Sequence, residues 1–255
     1  MDAQSRPKCD ECFHRDQCLP SAGLQLDEQL AALVEREAHV GRGDMLSRRA
    51  SPEGKVFVIK VGAFRSESLL ASGAMRVLGL HEAGDFMAIE VLLGQRPAVE
   101  HIALRDSVVC VLSADKLETM GHVQPSLERY LEHLAGGALA QAYRDMFSLG
   151  RLSTDERLAH FLVELSDRRR MRGRSPVALD LPFTRGDIGA HLAVRLETIS
   201  RSFGNLERLG LLRRKRAEVE ILDLARLRSF AGAEAGMHDR RARPSAVGAR
   251  IGRLT

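Results

Sequence analysis

The residues best suited to chemistry lie close to the N-terminus. "CDECFHRDQC" (9–18) packs Cys9, Cys12 and Cys18 into ten residues, and the chain has only one further cysteine, Cys110, in "DSVVCVL" (106–112). The thiolate is both a nucleophile and a soft metal ligand, so thiols at this spacing suggest metal or redox chemistry before disulfides. Three neighbouring thiols need a fourth ligand to close a four-coordinate site. The C-x2-C-x5-C spacing is not the ferredoxin pattern and lacks the second CxxC pair of a zinc ribbon. A zinc site and idle thiols both remain readings of the run on its own.

A second reactive surface lies in "TRGDIGAHLAVRLETISRSFGNLERLG" (184–210). Two short helices fit it, at about 185–192 and 196–207, joined by Ala193 to Arg195, with Ile188, Leu192, Val194 and Ile199 as a shared interior. Gly189 carries no side chain where the helices must approach. This is a helix-turn-helix layout. Its turn holds Ala193 where glycine is common, and a positive φ there would cost up to about 1–2 kcal/mol. Leu196, Glu197, Ser200 and Arg201 fall on the outer face of the second helix. Arginine donates twice to guanine, glutamate accepts from cytosine, and an apolar side chain suits a thymine methyl. Glu197 and Arg201 are also four residues apart, the spacing of an ordinary surface ion pair. The following "RLGLLRRKRAEVEIL" favours DNA, because Arg213, Arg214, Lys215 and Arg216 sit where a β-hairpin wing meets phosphates.

The remaining elements must position these groups. A chain of 255 residues with 44% hydrophobic residues has room for two packed domains. From about Leu24 to Leu117 short β-rich runs such as "KVFVIKV" (55–61) alternate with turns at "GRGD", "SPEG", "KVGA" and "EAGD", which suits a small antiparallel barrel or roll. After Pro125 the spacing changes to threes and fours: Leu127, Leu131, Leu134, Ala138, Ala142, Met146 and Leu149 form a one-sided seam. That seam is either a core face packed on the barrel or the contact of a dimer, and its length and narrowness favour the dimer. Ser153 and Glu156 have the spacing of a capping box at the start of another helix, and "RRRMRGRSP" (168–176) reads as a basic, turn-rich break. The tail from Ala231 carries five Arg against one Glu and one Asp, in keeping with a disordered basic segment.

"TRGDIG" followed by "ETISR" resembles the DNA-binding region of the FNR branch of the CRP–FNR transcription regulators, and the likeness extends from about Cys9 to Leu224. The resemblance implies an α+β protein with an N-terminal antiparallel β-roll (a cupin-like sensor domain), a long dimerisation helix and a C-terminal winged helix-turn-helix. The expected divisions are a cysteine-rich segment at 1–20, the roll at 21–124, the dimer helix at 125–151, the DNA-binding domain at 152–230 and the tail at 231–255. It further implies that Glu197, Ser200 and Arg201 contact a TTGAT-type half-site, and that a homodimer reads an inverted repeat at half-sites about 34 Å apart. By the same resemblance Cys9, Cys12, Cys18 and Cys110 hold a [4Fe–4S] cluster that makes promoter binding respond to oxygen, and RNA polymerase is a partner.

The alternative within the superfamily is a cyclic-nucleotide sensor, since "GDFMAIEVLLGQRPA" (84–98) resembles a nucleotide-binding cassette. Its acid is displaced to Glu90, and Pro97 stands after Arg96 where the cassette has serine. No Gly-x-Ser-x-Gly, Walker loop or HExxH points to an enzyme. His101 and His191 read as surface or boundary residues. No run approaches the length of a membrane span and "MDAQSRPK" lacks an apolar signal core, so a soluble cytoplasmic protein without a membrane partner is expected.

Overall fold

The computed structural model describes Cys12 and residues 33–50, 53–69, 75–97, 99–215 and 218–232. Cys9, Cys18, Arg216 and the tail beyond 232 lie outside the described residues.

The first half builds two antiparallel sheets. β1 (Val34–Val40), β7 (Ser107–Ser113), β2 (Lys55–Val61) and β5 (Phe86–Met87) form one, in that order. β4 (Met75–Glu82), β3 (Ala63–Leu69) and β6 (Glu100–Ala103) form the other. The β-branched run Val56, Val58, Ile59 suits a pleated strand with both faces covered, and all three are 2% exposed or less. Phe57, Ile59, Phe64, Met87, Val109 and Val111 fill the interior at 2% exposure or below. Gly62 lets the chain leave β2 for β3 at a φ of 111°, and a β-carbon there would lie 2.0 Å from the Ser107 hydroxyl. No side chain can replace that hydrogen without moving strand β7. A four-residue helix α1 (Leu46–Arg49) and a 3-10 turn at Ile89–Leu93 complete the roll.

Ser113 caps α2 (Ala114–Val123), accepting from the Lys116 backbone N–H, and Pro125 opens α3 (Pro125–Arg151), where its missing N–H is harmless. The seam expected on α3 divides into two. Leu127 is fully buried in the roll's core, with Leu131 and Leu134 packed beside it. Ala138, Ala142 and Met146 are exposed, and Leu149 is half-buried. Leu127 therefore leaves the expected dimer set, because its own chain encloses it. The exposed part of the stripe is wider than the sequence spacing suggests, taking in Leu139, Tyr143 and Phe147 at 56%, 55% and 51% exposure.

Ser153 and Glu156 make the reciprocal capping box expected for α4 (Thr154–Met171). Its apolar stripe packs with α5 (Arg185–His191), α6 (Leu196–Arg208), α7 (Leu224–Phe230) and the sheet β8–β10–β9 (Ala178–Asp180, Glu218–Ile221, Leu212–Lys215). This is a winged helix-turn-helix, with strand β8 added to the expected hairpin. Ala63, Val77 and Leu80 of the roll belong to the same core, so the two domains share buried surface. The basic stretch at 168–176 is a break only in its second half: α4 continues to Met171, with Arg168 and Arg169 paired against the roll, and the turns begin at Arg172.

Candidate nucleic-acid interface and cysteine site

The helix-turn-helix is held by local chemistry at each joint. Thr184 and Asp187 cap α5 reciprocally: the Thr184 hydroxyl accepts from the Asp187 N–H at 3.1 Å, and the Asp187 carboxylate accepts from the Thr184 N–H at 2.9 Å. Ala193 takes a φ of 58° at the turn, and the Val194 N–H donates to the Gly189 carbonyl at 2.8 Å. Ile188 and Ile199 close the interior at 1% and 0% exposure. Asn205 of α6 donates to Asp155 of α4 at 2.9 Å, and the Arg185 guanidinium lies 5.6 Å from the centre of the Phe203 ring.

This leaves one face of α6 presented to solvent. Leu196 is 51% exposed, Glu197 and Arg201 are exposed, and Ser200 is half-buried between them. Among the described residues Glu197 and Arg201 make neither an ion pair with each other nor any other side-chain hydrogen bond. The spacing that allows a surface ion pair is not used for one. Both donors and acceptors stay available to base edges.

The wing treats its cations differently. Arg213 and Lys215 are exposed and share Glu220, at 2.8 and 3.0 Å, which leaves a net positive charge. Their hydrogen bonds draw the Glu220 carboxyl below its ordinary range. Arg214 is half-buried instead, and its Nε donates to Glu207 of α6 at 2.6 Å while its backbone N–H donates to the same side chain at 2.9 Å. Arg214 thus braces the wing against the recognition helix.

Sequence reasoning missed the groups that fix this domain in place. Arg157 donates to three carbonyls, Leu149 and Leu152 at the end of α3 (2.9 Å each) and Leu192 at the end of α5 (3.3 Å). It ties the long helix to the helix-turn-helix at the helix ends, where carbonyls lack partners. Arg168, Arg169 and Arg172 meet the turn after β4: Arg169 lies 2.9 Å from Glu82, Arg168 lies 3.2 Å from Asp85, and Arg172 pairs with Asp85. Burial opposes the Asp85 charge, but Arg168, Arg172 and His81 outweigh it and hold the carboxyl at about 2. The acids "EAGD" gave only a turn signal, and nothing local pairs them with arginines so far along the chain.

His101 lies deeper than expected, whereas His191 is half-buried, as a boundary residue should be. His101 is 5% exposed, and the Ser66 hydroxyl bridges it to His81 at 2.8 and 2.6 Å. Burial pushes His101 down to about 3, and His81 and His191 down to about 4, so all three are neutral near pH 7.

Of the four cysteines, Cys12 and Cys110 are described, and both are free thiols, half-buried. Cys110 stands on β7 between Glu37 of β1 and Val58 of β2. Lys60 of β2 donates to Glu37 at 2.6 Å. That hydrogen bond is the main cause raising the Lys60 pKa, and the charges of Cys12 and Cys110 raise it further. The distal cysteine therefore stands beside an ammonium on the neighbouring strand. A paired set of thiols suits zinc or an iron–sulfur group. Among the described residues no cluster of three or more metal-ligating side chains occurs; the other two cysteines fall outside them. In the cassette resembling a nucleotide site, Ala88 adopts a φ of 58° before the 3-10 turn and Arg96 is exposed.

A sensor-like roll, a long helix with an exposed apolar stripe and a winged helix-turn-helix define a DNA-binding regulator. Residues 156–230 match the Crp-like helix-turn-helix domain, and residues 37–122 match the cyclic nucleotide-binding domain. The transcriptional activator protein Anr of Pseudomonas aeruginosa is 30% identical over 227 residues, covering 89% of this chain and 93% of the relative. The fumarate and nitrate reduction regulatory protein of Vibrio cholerae is 28% identical, over 88% of this chain and 90% of its own. The solved structure of FixK2 from Bradyrhizobium japonicum superposes with a TM-score of 0.65 at 27% identity, over 76% of this chain and 96% of that one. The chain belongs to the CRP–FNR family of transcription regulators. It is not an enzyme. Among the described residues no helix is long and apolar enough to cross a membrane.

Proposed function

We propose that this regulator is an oxygen-responsive, iron–sulfur-dependent protein of the FNR type, acting in the cytoplasm as a homodimer on inverted repeats of TTGAT-type half-sites. The observation that carries the reading is that the distal thiol, Cys110, stands on a central strand of the roll, with the run Cys9, Cys12 and Cys18 as the chain's remaining thiols. Cys9, Cys12, Cys18 and Cys110 would hold a [4Fe–4S] group. When bound, such a group supplies an oxygen-labile crosslink between the N-terminal segment and strand β7. The chain's own part is to supply thiolates from two distant segments. Relatives named for fumarate and nitrate reduction support the same direction.

The homodimer is supported by the stripe on α3. Leu139, Tyr143, Met146 and Phe147 are each more than half exposed, beside Ala138 and Ala142. Small and large apolar side chains side by side on a helix suit close packing against a second copy. Leu196, Glu197, Ser200 and Arg201 would then read bases, with Arg213 and Lys215 on phosphates and Arg214 bracing the wing. Surface loops of the assembled dimer would meet RNA polymerase. Cyclic-nucleotide sensing has less support, since Arg96 is exposed and the roll's interior is filled by Phe57, Ile59 and Met87.

The test is serine replacement at each cysteine in turn, with iron and acid-labile sulfide measured on anaerobic protein. Each variant is expected to lose cluster content and regulated transcription together. Full iron content in Cys110→Ser would overturn the assignment of the distal ligand, and full content in all four variants would overturn the reading.

A further inference from the structure

Between the roll and the DNA-binding domain lies a cavity of about 240 Å³. The ends of β2 and β4 and the turn after β6 contribute Lys60, Glu82 and Arg105 to its wall, and the DNA-binding domain contributes Arg169, Arg174 and Asp180. Four cations face two carboxylates, so the cavity favours an anion. Arg105 is exposed and Arg174 half-buried, and among the described residues neither guanidinium has an ion-pair or hydrogen-bond partner.

Two deeper groups narrow the chemistry. Glu82 is 3% exposed and Arg169 is 7% exposed, and they pair at 2.9 Å through Glu82 Oε2. Glu82 Oε1 and Arg169 Nε are buried without any hydrogen-bond partner. The nearest cation to Glu82 Oε1, on Arg172, lies at 3.5 Å, too far for a good hydrogen bond. Leaving a buried charged acceptor and a buried charged donor unmatched is unfavourable, and it is relieved by a ligand offering an oxyanion and a hydroxyl together. Inorganic phosphate has both. It keeps one proton throughout the neutral range, whereas sulfate has none and a phosphate monoester has mostly lost its proton above pH 6.

We propose that this cavity binds inorganic phosphate, with Arg105 and Arg174 on its oxygens, Arg169 Nε donating to it and Glu82 Oε1 accepting its hydroxyl. The site shares Lys60 with the surroundings of Cys110 but takes no ligand from the cysteines. Phosphate there joins the sensor domain to the DNA-binding domain, so it is coupled to any rearrangement of the two, and by linkage DNA and phosphate alter each other's affinity by one common factor.

Isothermal titration calorimetry on the full chain at pH 7.5 tests this, using inorganic phosphate, sulfate and methyl phosphate at equal ionic strength. Phosphate is expected to bind at least tenfold more tightly than either of the others. Arg105→Ala and Arg174→Ala, which disturb no ion pair, should each weaken phosphate at least tenfold. Glu82→Gln places a donor where the acceptor was, so sulfate should approach phosphate in affinity. Should Glu82→Gln fail to fold, the two arginine variants decide alone. Sulfate or methyl phosphate binding as tightly as phosphate overturns the proposal, as does no phosphate binding or unchanged binding in both arginine variants. Iron content does not enter the readout, so failure here leaves the cluster reading untouched.

Discussion

Gly189 faces the carbonyl of Val194 so closely that a β-carbon on it would lie 3.0 Å from that oxygen and 3.5 Å from the Ile199 side chain. The approach exists because the chain between them turns at Ala193 with a φ of 58°. The two positions predict opposite responses. Gly189→Ala pushes the helices apart and should destabilise the domain by about 1–3 kcal/mol, the usual range for overpacking. Ala193→Gly removes the strain of a left-handed alanine but adds freedom to the unfolded chain, for a net gain of up to about 1 kcal/mol. Urea denaturation of both variants checks the pair of signs.

Glu82 and Arg169 form the most enclosed ion pair between the domains. Arg169→Met should destabilise by about 3 kcal/mol, the lower end for stranding a buried charge. It lies at the lower end because Arg172 remains 3.5 Å from the Glu82 carboxylate. Adding Glu82→Met should recover most of that loss, since two apolar side chains replace two charges. A double-mutant cycle on thermal or denaturant stability reads the coupling.

Asp145 of α3 introduces a pH dependence. Burial first, and then the Glu164 charge, raise its pKa from 3.8 to about 6, against the Gln141 hydrogen bond and the Arg144 and Arg168 charges. A carboxyl raised on folding favours the fold while protonated, so its contribution is complete below about pH 4 and is lost as pH rises through about 6. Asp145→Asn stays neutral at all pH. Its stability relative to the parent should rise by up to about 2–3 kcal/mol between pH 4 and pH 7.5. Melting temperatures across that range provide the check, and a constant difference would show that folding does not shift the Asp145 carboxyl.

For base reading, Arg201→Ala should cost about 1–3 kcal/mol at a TTGAT repeat and relax discrimination against random DNA. Arg213→Ala and Lys215→Ala should instead weaken all sequences alike and lower the slope of affinity against salt by about 1. Fluorescence anisotropy at several salt concentrations separates the two behaviours. Arg214→Ala should differ from both by loosening the wing, because its guanidinium is held by Glu207.

The helix-turn-helix was legible because its determinants are local. Thr184, Asp187, Gly189, Ala193 and Ile199 act within sixteen residues of one another, and sequence spacing reports such contacts directly. The long helix was legible in extent for the same reason. Its periodicity could not separate Leu127, enclosed by the roll, from Met146, 64% exposed, since both obey one spacing. Arg168, Arg169 and Arg172 read as part of a basic, turn-rich break because their partners, Glu82 and Asp85, stand more than eighty residues earlier. The burial of His101 depends on Ser66 in a neighbouring strand, a register that no local pattern encodes. For the cysteines, spacing suggested metal or redox chemistry without choosing between them, and the placement of Cys110 on β7 beside Lys60 is a consequence of strand order.

The central claim is that DNA binding depends on an oxygen-labile cluster held by four thiols. One anaerobic sample decides it, with iron, acid-labile sulfide and affinity for a TTGAT inverted repeat measured before and after exposure to air. The account predicts about four iron per chain at the outset, followed by loss of sulfide and at least a tenfold fall in DNA affinity after air. A colourless, iron-free protein that binds the repeat equally well before and after air would contradict it.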